Sequence, residues 1–292
     1  MHLLLHPEPE PGDTDLSWLY RAVEIAEAAL FDAVVAPFPG AAVPVEPSTL
    51  LANLVPRTTN IGLIAQVSAQ YVAPYNQARM LNTLDNLSVG RAGWRLVTAA
   101  EDSPAAVRPP TTEDSRRAAR AAEFVTVVHR LWESWAPDAV VADIESGVYV
   151  DVDRLHRIDH AGEFFRVAGP LNLPRSPQLH PPLLVAVDSA ESAELARLRA
   201  DVAVVSGDSG NVADVPLVLR DIAADRSESA ALAAELSAGD GAVVHLTSTG
   251  VERFVRDVLP RLRDQGAIRQ RYDTSTLRGH LGLTEIPVGV LS

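Results

Sequence analysis

His156 and His160 stand four residues apart, and on a helix that spacing would turn two imidazoles toward one metal ion. They fall instead in a stretch of alternating segments, Gly147-Val148-Tyr149-Val150 and Glu163-Phe164-Phe165-Arg166-Val167, which predicts a β-hairpin. No metal centre is therefore expected, and His160, in Asp159-His160-Ala161-Gly162, reads as a turn residue. Two arginines are the next candidates, in Gly90-Arg91-Ala92-Gly93-Trp94-Arg95-Leu96-Val97-Thr98. Arg91 reads as a barrel salt-bridge or helix-contact residue rather than a ligand clamp. Arg95, beside a strand end, can equally serve packing or a ligand. No Gly-x-Gly-x-x-Gly and no Gly-x-Ser-x-Gly segment is present, so dinucleotide-binding and serine-hydrolase readings lack their motifs.

The composition removes further chemistries. All 25 basic residues are arginine, so a Walker phosphate loop, a pyridoxal Schiff base and a lysine nucleophile are excluded. Zero cysteines exclude disulfides, thiolate catalysis and thiolate metal sites. A formal charge of −13 argues against a nucleic-acid partner. No run of about 18 apolar residues suggests a membrane span, and the first six residues do not form a signal peptide, so a cytoplasmic protein is expected.

Elements must position these residues. Short apolar runs near 2–6, 32–37, 61–68, 91–98, 182–187, 201–205 and 241–247 predict seven strands. Segments of helical period near 15–30, 47–56, 74–87, 115–135, 189–199, 213–236 and 250–265 predict the helices between them. This alternation is the pattern of βα units around a parallel sheet, and alone it does not separate a barrel from an open sheet. Residues 99–114 predict a loop at the face where barrel enzymes place their chemistry. Residues 139–180 predict an insertion with a hairpin at about 139–168. Trp132 and Trp135 read as core anchors. With 292 residues, 47% of them hydrophobic, one domain over 1–292 is expected.

The stretch from Leu84 to Thr98 resembles a Leu-Asp-His-Leu-Ser-Gly-Gly-Arg-Ala-Gly-Trp-Asn-Val-Val-Thr segment of the luciferase-like flavin monooxygenases, in the branch of the nitrilotriacetate and dibenzothiophene-sulfone monooxygenases. Ile61-Gly62-Leu63, the run Tyr71 to Arg79, Leu131-Trp132-Glu133-Ser134-Trp135, Gly169-Pro170-Leu171-Asn172-Leu173-Pro174-Arg175 and Thr276-Leu277-Arg278-Gly279-His280 extend the likeness. The resemblance implies an α/β fold, a TIM-type (β/α) barrel with a hairpin insertion. It also implies reduced FMN at the C-terminal mouth, supplied by a separate reductase, and oxygenation of a small organic substrate. Because the chain reaches its C-terminal motif soon after Val205, a βα unit is expected to be missing before Gly241, leaving seven strands.

Carried over position by position, the resemblance places Gln66, Asn76, Arg95, Thr98, Ser189 and Ser192 around the cofactor, and identifies no catalytic residue. Phe38 stands where the family has Asp, Gln66 where it has Thr, Asn76 where it has His, Arg95 where it has Asn, and Ala118 where it has Tyr. Around the phosphate, Ala186-Val187-Asp188 replaces Gln-Ala-Gly. Two readings follow: an FMN-dependent two-component monooxygenase with an eroded flavin site, or a non-catalytic barrel that has lost flavin binding and serves as a binding or interaction protein. The resemblance also implies a homodimer formed through the helices after the early strands, with Ala78, Leu81 and Leu84 as the expected apolar face.

Overall fold

A computed structural model of the chain describes residues 1–39, 43–98, 114–207, 212–224, 229–236 and 239–286. Four parallel strands come first: β1 (His2–Glu8), β2 (Ala33–Ala36), β3 (Gly62–Ser68) and β4 (Ala92–Val97). Two short antiparallel pairs follow, β5 (Val140–Asp143) with β6 (Val148–Val150) and β7 (His160–Ala161) with β8 (Arg166–Val167). Four further parallel strands are β9 (Leu183–Val187), β10 (Val202–Val205), β11 (Leu217–Ala223) and β12 (Gly241–Thr247). The eight parallel strands close in the order β1-β12-β11-β10-β9-β4-β3-β2. The helices are α1 (Ser17–Ala28), α2 (Pro47–Leu54), α3 (Pro74–Leu87), α4 (Asp114–Trp132), α5 (Ala190–Arg199), α6 (Ser229–Leu236), α7 (Ser248–Asp257), α8 (Leu259–Asp264) and α9 (Leu277–His280).

The barrel thus has eight strands, not seven. The βα unit expected to be missing is present: β11 occupies the first part of a segment predicted as one helix over 213–236, and α6 only its end. The run Leu217-Val218-Leu219-Arg220-Asp221-Ile222-Ala223 carries too few polar residues to separate the two periods by itself. Pairing with β10 and β12 decides it, because a strand is needed there to close the sheet. The predicted hairpin is two short hairpins, one either side of a turn at Val152–Arg154. The predicted loop at 99–114 lies almost wholly outside the described residues.

Alternation along the strands sorts side chains into two layers. On β1, Leu3 and Leu5 face the helices while Leu4 packs with Ile64, Leu184, Leu219 and Val243 in the lumen. The N-terminal end of the lumen is plugged by α9. Leu277 presses on Gly62 and Gly93, where an added Cβ would lie 2.5 and 2.6 Å from its methyl carbons. Arg278 locks the plug by donating to the carbonyls of His180 and Thr284 and to Asp201.

Outside the barrel, α3 turns into β4 through Val89 and Gly90, both at positive φ. The Asp85 carboxylate, fully buried, accepts from the Gln178 backbone and side chain, tying this turn to the proline-rich crossing. Burial raises its pKa despite those donors. Trp94 packs edge-on against Trp132 at 5.8 Å, and the indoles of Trp132 and Trp135 donate to the carbonyls of Ala78 and Leu171, so both are core anchors as predicted. Arg91 donates to the carbonyls of Ser88, Ile61 and Thr58, which makes it a structural residue. Ala78, Leu81 and Leu84 are at most 1% exposed within this one chain. Ala78 and Leu81 are packed into the core by that same helical spacing, and Leu84 reaches the surface only as part of the lining of a groove between α2 and α3.

Candidate functional site

The lumen changes character one layer above its apolar filling. Two residues beyond Leu4, Ile64, Gly93, Leu219 and Val243, toward the C-terminal ends of their strands, stand His6, Gln66, Arg95, Asp221 and His245. These five side chains face the lumen toward the barrel mouth. Arg95 from β4 reaches across to Asp221 on β11, Nη2 to Oδ2 2.5 Å. The other Asp221 oxygen lies 2.5 Å from His245 Nε2, and His245 Nδ1 lies 3.0 Å from Glu8 Oε1. His6 stacks on His245, ring centroids 4.3 Å apart.

The charges follow from these contacts. Burial works against the Asp221 carboxylate, but donors from His245 and Arg95 outweigh it and hold its pKa down at about 2. Burial also opposes charge on His245, yet Asp221 and Glu8 together raise its pKa above the usual value. His6 is pushed down to about 3, first by burial and then by the neighbouring His245 and Arg95. The site therefore sets the His245 imidazole between two carboxylates that favour its charged form and, stacked on it, the His6 imidazole held neutral. Nδ1 of His6 and Nε of Arg95 are buried without hydrogen-bond partners. Such a set presents a neutral imidazole nitrogen, able to accept a hydrogen bond or ligate an ion, beside a fixed carboxylate–imidazole pair.

The predicted cofactor residues divide. Arg95 belongs to this cluster, and Gln66 is its register partner on β3. Thr98, 8% exposed, follows the end of β4. Asn76 is exposed in the first turn of α3, Phe38 is 36% exposed beyond β2, and Ala118 is half-buried on α4.

Ser189 and Ser192 lie apart from the layer, at the start of α5, where they cap their own helix. Ser192 N–H donates to Ser189 Oγ at 3.1 Å, and the N–H groups of Asp188 and Ser189 both donate to Ser192 Oγ at 3.0 Å. That hydroxyl lies in turn 3.0 Å from Asp188 Oδ1. A helix N-terminus binds phosphate through free N–H groups and their positive end. Here the N–H groups of Asp188, Ser189 and Ser192 are already taken by the cap, and a carboxylate stands beside them. As they stand, these residues do not fit a phosphate dianion.

Sequence reasoning missed His6, Glu8, Asp221 and His245. Asp221 was hidden because β11 read as helix. The others carried a usable signal: in Leu4-Leu5-His6-Pro7-Glu8 and Val243-Val244-His245, polar residues fall on the same strand face as the lumen leucine and valine. His160, by contrast, binds Glu123, Nε2 to Oε1 2.9 Å, and the same carboxylate accepts from the N–H groups of Phe164 and Phe165. This clamp fixes the second hairpin to α4. His156 is exposed and stands outside it.

Comparison with known proteins fits this architecture. Dibenzothiophene-sulfone monooxygenase of Rhodococcus erythropolis is 43% identical over 148 residues, 50% of this chain and 32% of that protein. The chain thus spans about a third of that relative's length. One of the subunits of pristinamycin IIA synthase from Streptomyces pristinaespiralis is 36% identical over 274 residues, covering 92% of this chain and 89% of that one. Another subunit of the same synthase is 35% identical over 159 residues, 54% of this chain and 33% of its own length. The crystal structure of EDTA monooxygenase from Chelativorans sp. BNC1 superposes with a TM-score of 0.78 at 21% identity, covering 99% of this chain and all of that one, and so shares the fold. The luciferase-like monooxygenase profile matches residues 4–249. The chain belongs to the luciferase-like monooxygenase family.

Proposed function

We propose that this chain acts in reduced-FMN-dependent, two-component monooxygenation of a small organic substrate as a subunit that does not itself hold the flavin. The observation that carries this reading is the start of α5, where the cap takes the N–H groups of Asp188, Ser189 and Ser192 and sets the Asp188 carboxylate where a flavin phosphate would lie. The mouth adds to it. Arg95, which stands in place of the family's Asn beside the flavin ring, reaches across the lumen to Asp221 and fills it with side chains. Losing two or three hydrogen bonds to a charged group, at about 1.5–3 kcal/mol each, is enough to reduce affinity more than a hundredfold.

The near full-length likeness to a protein named as one subunit of a synthase, with a less extensive likeness to another of its subunits, supports a partnership of related barrels. Such a partner would bind FMN delivered by a reductase, and two copies of this chain could pair in the same way. A groove of about 350 Å³ between α2 and α3 offers a contact surface, lined among others by Ala52, Met80, Thr83, Leu87 and Leu173. Among the described residues no helix is long and apolar enough to cross a membrane. The test is the visible spectrum of the purified chain after incubation with FMN and desalting. A colourless protein is expected, and a stoichiometric yellow one would instead support a flavin monooxygenase in its own right.

A further inference from the structure

We propose that His6, Glu8 and His245 form a binding site for a divalent first-row transition-metal ion at the barrel mouth. Their candidate ligand atoms all lie within 4.8 Å of one another. Glu8 Oε1 and His245 Nδ1 are already 3.0 Å apart, about the separation of two neighbouring ligands that each lie roughly 2.1 Å from one ion. Two imidazoles and one carboxylate form a ligand set that suits zinc, iron or nickel, and three protein ligands leave open positions for water or a substrate oxygen.

The surroundings carry the argument beyond proximity. His6 Nδ1 is buried and has no hydrogen-bond partner, a state that buried polar atoms avoid unless something else satisfies them. His245 has its second nitrogen 2.5 Å from Asp221, which is the carboxylate–histidine pairing that orients metal-binding imidazoles. Asp221 is held in turn by Arg95. With Nε2 directed at Asp221, His245 would present Nδ1 to the ion. The Glu8 side chain is 46% exposed, so the site opens to the mouth and an ion can enter.

The site makes no use of the start of α5, so the proposal stands whether or not the chain binds flavin. The experiment is titration of the full chain, stripped with chelator, with Co²⁺, followed by calorimetry and by the visible ligand-field bands. One ion per chain is expected. Glu8→Gln and His6→Gln should each weaken it at least tenfold, and Asp221→Asn by about 10–100-fold through loss of orientation. His156→Ala, an exposed histidine away from the mouth, should leave it unchanged. Far-ultraviolet circular dichroism checks that each variant is folded, and Glu8, at the exposed end of its strand, is the variant that tests ligation without burdening the core. Absence of saturable binding in the native chain, full binding in folded Glu8→Gln, or loss in His156→Ala would each overturn the proposal.

Discussion

Arg95 and Asp221 face each other across the barrel lumen from strands β4 and β11, with β9 and β10 between them in the sheet, and both side chains are largely buried. Neither charge can be removed alone without stranding the other. Arg95→Ala is expected to destabilise the fold by about 3–5 kcal/mol in urea unfolding. Pairing Arg95→Met with Asp221→Leu should recover much of that loss. A single variant as stable as the parent would mean that solvent reaches the pair.

At the start of α5, Asp188→Gly removes a carboxylate and a Cβ from the place a phosphate would approach. FMN affinity should rise by roughly tenfold, which corresponds to about 1.4 kcal/mol, and more at low ionic strength where repulsion is least screened. Fluorescence titration at two salt concentrations measures it. Unchanged affinity at low salt would shift the cause to the blocked ring site at Arg95.

A Cβ on Gly162 would lie 2.1 Å from Glu123 Oε1 and 2.6 Å from His160 Nε2. Gly162→Ala should therefore open the Glu123 clamp and lower stability by about 3 kcal/mol, the scale of one or two hydrogen bonds to a charged acceptor. Thermal unfolding provides the readout, and Glu123→Gln should lose less because its shape is kept.

The same carboxylate sets a pH dependence. Burial works to raise the Glu123 pKa, but donors from His160, Phe164 and Phe165 outweigh it and hold the value below the ordinary one. A carboxyl depressed in the folded state stabilises above its unfolded pKa, and that contribution fades as pH falls through the folded value. Native chain should lose stability relative to Glu123→Gln as pH drops below about 4.3, the ordinary glutamate value. Parallel curves for the two proteins across that window would rule this out.

Leu87 is 54% exposed at the edge of the α2–α3 groove, whereas Ala78 and Leu81 are buried. If barrels pair there, Leu87→Asp should weaken association at least tenfold in sedimentation velocity while leaving the monomer folded. Leu81→Asp should instead unfold the chain, since it places an unpaired charge in the core.

Much of this protein was legible from residue order. The glycine turn between α3 and β4, the tryptophan anchors, seven of the eight barrel strands and the family likeness all rest on local pattern, where a short range of neighbours decides the conformation. That Arg95 stands at a strand end near the barrel mouth was legible too, because it lies in the contiguous stretch from Leu84 to Thr98. Other features needed the closed barrel. Leu217–Ala223 became a strand because the sheet had a gap that only pairing with β10 and β12 could close. Ala78, Leu81 and Leu84 show apolar spacing in the sequence, but spacing does not say whether the partner is the chain's own core or another molecule. Above all, His6, Glu8, Asp221 and His245 lie as much as 239 positions apart in the chain, counted from His6 to His245. They meet only because the neighbouring parallel strands β1, β12 and β11 bring their C-terminal ends to one side of the mouth, and an imidazole's charge there is set by neighbours that no local window contains.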